Sequence, residues 1–183
     1  MKSSRKNSRR DSQIGFSLIE SLAALAVMAV SLGAGLPSFK QAAERRHLEG
    51  AAAQLATDIR MDRGLAVSHQ ASVRFSVQQA SDGACYVIHT GRAGDCRCTG
   101  AGTAVCVAGA QALRSVGFAA TGPVQFSANS ASMLFDADRG TVTPTGTLSL
   151  QLRNGAAIRH IVNIMGRVRS CSPAGVVSGH AAC

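Results

Sequence analysis

Residues 16–36 read FSLIESLAALAVMAVSLGAGL, and Glu20 is the one ionisable side chain in the run. A helix over these 21 positions is about 32 Å long at 1.5 Å per residue, close to the thickness of a bilayer's hydrocarbon core. Such a stretch must be buried in lipid or in other apolar helices. A carboxylate inside it costs roughly 2.5–3.5 kcal/mol and so marks a function. Ahead of the run stand Lys2, Arg5, Lys6, Arg9 and Arg10 against a single acid, Asp11. That bias places the leading end on the cytoplasmic side of a membrane.

Three readings compete for this segment. A cleaved secretory signal has a basic start and an apolar core, but its core is shorter and cleavage would discard Glu20. A plain single-span anchor explains length and charge and leaves Glu20 without a role. Cleavage between Gly15 and Phe16 explains all three features. It creates an α-amino group at the membrane edge, one helical turn from Glu20. The carboxylate then neutralises that amine, on its own chain or on a neighbour in a helical bundle. In a low dielectric such a pair is strongly directional and sets the stagger between subunits.

The stretch Gly15-Phe16-Ser17-Leu18-Ile19-Glu20 resembles the class III signal of type IV pilins and type II secretion pseudopilins. The resemblance implies that a membrane aspartyl peptidase cuts after Gly15 and methylates the new N-terminal Phe16. It makes Glu20 an assembly residue, and it matches Pro37 to the family's helix-kinking proline. It also implies partners: the prepilin peptidase/methyltransferase and other major and minor pilins or pseudopilins. The expected location is the inner membrane, as a single-pass protein with its C-terminal domain in the periplasm, and then a filament.

Beyond Pro37 an amphipathic helix is expected over 37–70. Leu48, Ala52, Leu55 and Ile59 form one stripe. Arg45, Arg46, Glu49, Asp58, Arg60 and Arg63 fall mostly off it, and Asp58 and Asp62, four apart, repel. Residues 16 to about 68 thus form one long helix, half in lipid and half against a globular domain. Pro37 removes a backbone donor and should bend it.

From Ala71 the pattern changes to strands. Ser72–Val77 alternates, Cys85–His89, Val124–Phe126 and Met133–Phe135 are short apolar runs, and Thr147–Arg153 alternates over its length. Asn154-Gly155 signals a tight hairpin turn. The return strand Ala157–Ile164 is apolar on both parities and so is expected to be central and covered on both faces. The fold class is α+β, a long kinked N-terminal helix packed on antiparallel sheets. The expected organisation is a leader at 1–15, a membrane and assembly helix at 16–36, an amphipathic helix at 37–70 and a β-rich domain at 71–183. Phe135-Asp136, Gly140, Pro144–Leu148 and Gly166-Arg167-Val168-Arg169-Ser170-Cys171 resemble the C-terminal pattern of the GspH/FimT branch, which implies one kinked helix plus two antiparallel sheets. The signal leaves type II secretion and type IV pilus use both open.

Residues 16–138 hold equal numbers of acids and bases, whereas 139–183 hold five arginines and no carboxylate. Arg153, Arg159, Arg167 and Arg169 thus form a candidate phosphate-tracking patch for double-stranded DNA, or a surface that meets an acidic neighbour. No aromatic residue follows Phe135, so base stacking is not available there and binding would be sequence-neutral. Some FimT-branch proteins are linked to DNA capture through the GRxRxC segment. The resemblance therefore points first to Arg167 and Arg169, and makes a DNA-binding minor pilin the alternative function.

Six cysteines behind a membrane segment favour disulfides over metal. Cys96-Arg97-Cys98 lacks the spacing of a zinc site. Fifteen pairings are possible, and Cys171 with Cys183 is the first candidate bond. Asp136, Asp138 and Gly140 read as a turn, since no acid closes a calcium loop. The five histidines are dispersed, and no nucleophile–base arrangement, paired catalytic acids or phosphate loop is present. The expectation is a structural protein without cofactor or metal, not an enzyme.

Overall fold

The computed structural model describes residues 17–183 except position 174, with the side chains of 34–37 also outside the description. One helix, α1, spans Leu18–Ser68. The chain divides into two compact units, with the boundary after Gln41. In the first unit Leu18, Ile19, Leu22, Leu25, Val27, Met28, Val30 and Leu32 are all exposed. Its most apolar window is long and apolar enough to cross a membrane, and none of that window is buried within the chain. The cleavage expected at Gly15–Phe16 and the side chain of Pro37 lie outside the described residues.

In the second unit, from Ala42 onward, α1 buries Leu48, Ala52, Leu55, Ile59 and Ala66. The i, i+3, i+4 progression that joins these positions also passes through 62, and Asp62 is fully buried. Asp58 is buried as well. Both acids therefore face the core, which corrects the expectation that Asp58 lies off the stripe. Periodicity outranked side-chain polarity here. The helix ends in a left-handed residue, Gln70, at φ 50°. There the Ala71 amide bonds the Ala66 carbonyl at 3.2 Å, the closing bond of a Schellman cap.

Among the described residues eleven strands follow. They are β1 (Val73–Ala80), β2 (Gly83–His89), β3 (Cys96–Cys98), β4 (Ala104–Cys106), β5 (Ala112–Ala119), β6 (Val124–Ala128), β7 (Ser132–Phe135), β8 (Val142–Thr143), β9 (Gly146–Leu152), β10 (Ala157–Val162) and β11 (Val168–Cys171). One sheet has the order β5-β2-β1-β7-β8, a second β11-β10-β9-β6, and β3 pairs with β4 as a separate hairpin. Every pairing between these strands is antiparallel.

In the first sheet Phe75 lies opposite Ile88, and Val77 opposite Tyr86. This face joins the helical stripe in the main core, with Leu148, Leu150, Ile158 and Val162 from the second sheet. Phe75 and Tyr86 stack with centroids 4.8 Å apart. The opposite parity of β2 carries Cys85 and Val87 into a small second cluster with Cys96 and Cys98.

Disulfides join Cys85 to Cys98, Cys96 to Cys106 and Cys171 to Cys183. The first two fasten the β3–β4 hairpin to β2 and across itself. Strand β10 lies between β11 and β9, but one of its faces is open. Arg159 is exposed and Ile161 keeps 37% of its surface, so the expectation of cover on both faces is corrected. The outward parity of this strand sets Arg159 between Ala157 and Ile161.

Candidate functional sites

Two places hold the residues singled out from the sequence: the start of α1, and the surface around β10 and β11. At the first, α1 begins at Leu18 and Glu20 lies in its opening turn. The Glu20 and Ser21 amides both bond the Ser17 carbonyl, at 3.0 and 3.1 Å. The order Ser17-x-x-Glu20 has the form of a capping box. A carboxylate in the first turn also complements the positive end of the helix dipole. Glu20 therefore has a favourable local setting besides any partner amine. It is exposed, as an intermolecular contact requires.

At the second, β10 pairs Arg159 with Cys171 and Ile161 with Arg169. Arg159 and Arg169 are thus diagonal neighbours on one open face, roughly 7–8 Å apart at the backbone. Arg167 is two residues before Arg169, about 6.8 Å along an extended chain. Arg153 is elsewhere. It lies just past β9 at the opposite end of the second sheet, where its Nη2 donates to the Thr121 carbonyl at 2.8 Å. Three of the four candidate arginines therefore share one region. Among the described residues the ion pairs are Arg45–Glu49 and Arg114–Asp58, so the three have no acidic partner there.

The turn before Arg167 is built around a residue that sequence reading passed over. Arg63 on α1 donates from Nε to the Gly140 carbonyl at 3.2 Å. Gly140 and Gly166 both have positive φ, at 60° and 70°. A Cβ on Gly166 would lie 2.8 Å from Arg63 Cδ, and one on Gly140 3.2 Å from Arg63 Nε. Arg63 is thus clasped between two turns that only glycine accommodates. Around it opens a cleft of about 620 Å³, lined by Arg60, Arg63, Gly64, Val67, Ser68, Gly166, Arg167 and Val168. The Gly-Arg pair at 166–167 was legible in the sequence. The helical side of the cleft was not, because Arg60 and Arg63 lie more than 100 residues away along the chain.

The C-terminal tail is tied down three ways. Cys183 bonds Cys171, Val177 enters the core, and Arg45 Nη2 donates to the Ser178 carbonyl at 2.9 Å and also to Ser178 Oγ. Beneath it His160 is buried, with Nε2 2.9 Å from the Ala52 carbonyl and Nδ1 2.8 Å from Ser170 Oγ. A carbonyl only accepts, so Nε2–H donates and Nδ1 accepts from the serine. Burial lowers the imidazole pKa to about 4, with His180 and Arg60 acting in the same direction.

A third polar cluster runs from the core to the half-buried Arg114. Asp58 Oδ2 accepts from the Tyr86 hydroxyl and from Arg114 Nε, both at 2.6 Å. Burial, then the bond to Asp58, raises the Tyr86 pKa. The bond to Asp58 is also the main cause of the raised Arg114 pKa. One turn on, neither oxygen of Asp62 has a hydrogen-bond partner among the described residues. Burial, and secondarily Asp58, pushes its pKa up to about 9. On the other face of β1 and β2, His89 Nδ1 donates to the Thr90 carbonyl at 2.8 Å, and Nε2 meets Ser76 Oγ at 2.9 Å. That Ser–His contact is buried and serves packing. Among the described residues no group of three or more His, Cys, Asp or Glu is placed to hold a metal.

Residues 51–166 match the family model described as type II transport protein GspH. The chain belongs to this family. No curated protein matches it. Among solved structures, the type IV minor pilin FimU of Pseudomonas aeruginosa is similar, at 19% identity and a TM-score of 0.52 over 69% of this chain and 89% of that one. The minor pseudopilin EpsH from the type 2 secretion system of Vibrio cholerae aligns at 10% identity and a TM-score of 0.49, over 69% of this chain and 97% of that one. The family match and the FimU alignment together establish the pilin-like α+β fold. The GspH-family match spans the helical stripe from Ala52, the first sheet, the second sheet except β11, and the Arg63–Gly140–Gly166 clasp. It ends one residue before Arg167 and begins after Glu20.

Proposed function

We propose that this chain is a minor pilin or pseudopilin, cut between Gly15 and Phe16 and N-methylated at Phe16. Its helix then passes from the inner membrane into an envelope filament, or primes one, with the globular domain on the periplasmic side. The observation that carries this reading is the exposed apolar helix with Glu20 in its opening turn, joined to a GspH-family domain. The partners are the prepilin peptidase/methyltransferase and other pilins or pseudopilins. Intact-mass analysis of the membrane-extracted protein, made in a host with that peptidase, tests processing. The expected product begins at Phe16 and carries one added methyl group. A chain retaining residues 1–15, or one trimmed after Leu36, refutes it.

A second reading is favoured by the adjacency of Arg159, Arg167 and Arg169 without an acidic partner among the described residues. On this reading the same subunit also holds double-stranded DNA during uptake. Phosphate contacts of this kind are sequence-neutral and weaken with salt. Replacing Arg159 and Arg169 with glutamine should weaken duplex binding. Unchanged binding refutes the surface assignment.

A further inference from the structure

We propose that the cleft between the last turns of α1 and the Gly166–Val168 turn receives a backbone phosphate of duplex nucleic acid. Arg60 and Arg167 contact the phosphate, and Arg63 is the positioning residue. The inference rests on the nucleic-acid reading above and adds to it a second wall, supplied by the helix. Arg60, Arg63 and Arg167 all line one cavity, and its lining among the described residues includes no carboxylate. Converging like charges repel, and that repulsion is relieved when an anion enters between them.

The cleft is also built rather than incidental. The Arg63 stem fills the space that Gly166 leaves free, and its Nε is committed to the Gly140 carbonyl. The turn bearing Arg167 is thereby fixed against the helix. Arg60 and Arg167 are exposed, and neither side chain makes a hydrogen bond or ion pair among the described residues. Their guanidinium forks suit phosphate oxygens. From the cleft mouth the series continues through Arg169 to Arg159, a spaced row that fits a polymer with regularly spaced charge. No aromatic side chain lines the cleft, which favours a duplex backbone over a stacked single strand. Past Arg60 a smaller pocket holds Glu49, His160, Ser170 and His180. Its one acid, Glu49, is paired with Arg45 at 2.7 Å.

The test uses the full chain in zwitterionic detergent and a fluorescent duplex of about 20 base pairs, titrated between about 50 and 300 mM salt. One variant carries Arg60→Gln and Arg167→Gln. A control carries Arg92→Gln and Arg97→Gln, two exposed arginines in and beside β3 with the same loss of charge. In the cleft variant the slope of log affinity against log salt should be shallower by about 0.9 for each phosphate no longer neutralised, with affinity about tenfold weaker near 100 mM salt. The control keeps the parent slope. If the parent binds and the cleft variant behaves like the control, the cleft is overturned while the Arg159 and Arg169 surface stands. If the parent does not bind at the lowest salt, both fall, and the basic region is left to an acidic protein partner.

Discussion

Asp62 offers the sharpest energetic test of the fold. Its carboxyl group is fully buried on α1, without a hydrogen-bond partner among the described residues, one turn from Asp58. Its pKa stands near 9 in place of 3.8. Between those values the folded chain keeps a proton that the unfolded chain releases. Stability contributed by this group is therefore complete below about pH 4 and is lost as pH rises toward 9. At 1.36 kcal/mol per pKa unit the loss reaches about 4 kcal/mol by pH 7, an order-of-magnitude figure. Asp62→Asn removes the titration and keeps the shape. The variant should match the parent near pH 4 and exceed it progressively above, by on the order of 10 °C in Tm at neutral pH. Tyr86 is the only tyrosine and tryptophan is absent, so intrinsic fluorescence reports on the core where Tyr86 bonds Asp58. His160 titrates in the opposite sense, so the parent curve alone does not isolate Asp62; the difference between variant and parent does. A difference independent of pH from 4 to 9 would refute the buried, uncompensated carboxyl.

His160→Gln should flatten the acid limb of the same curve. The folded imidazole takes its proton near pH 4, against about 6.5 when unfolded, so its share of stability is present above pH 6.5 and lost as pH falls toward 4. An acid limb unchanged in that variant would count against the assignment. Replacing both Cys171 and Cys183 with serine opens a loop whose ends are 12 residues apart in sequence and should cost about 2–3 kcal/mol in denaturant unfolding. Limited proteolysis should then cut first within 172–183; first cleavage elsewhere would show that Val177 and Arg45 hold the tail without the bond.

Much of the architecture was legible where the pattern was regular. The alternation at 147–153 and the Asn154-Gly155 turn correspond to β9 and its hairpin with β10, and Ser72–Val77 to the start of β1. The stretch between 90 and 120 was not readable. There β3 and β4 are three residues each and are held by disulfides, which leave no periodic trace. Strand β5 mixes Arg114, Ser115 and Gly117 into its length, and Arg114 turns its guanidinium to Asp58 while part of its side chain stays in solvent. The buried acids escaped for a related reason: charge suggested the surface, while the spacing through 55, 59, 62 and 66 placed Asp62 on the core stripe. Arg167 and Arg169 stood out as a local motif. Arg60 and Arg63 joined them only once the helix and the Gly166 turn were brought together.

The role of Glu20 can be separated from membrane insertion by magnitude. Eight large apolar side chains between Leu18 and Leu32 are exposed in the first unit, and burying each is worth roughly 1.5–3 kcal/mol, on the order of 10–20 kcal/mol together. Against that, one carboxylate costs roughly 2.5–3.5 kcal/mol. On the reading proposed above, the helix should therefore enter lipid with or without Glu20. Loss of the acid should leave membrane partition unchanged or slightly improved, and a defect confined to assembly is what the pairing of Glu20 with a neighbour's α-amine requires. Glu20→Val should then fractionate with the membrane like the parent, yet be depleted from sheared filaments or from crosslinked subunit complexes. Glu20→Gln sharpens the test: it retains a hydrogen-bonding side chain in the first turn but removes the charge that complements the amine. Normal assembly of the glutamine variant would reduce the residue to a helix-capping role.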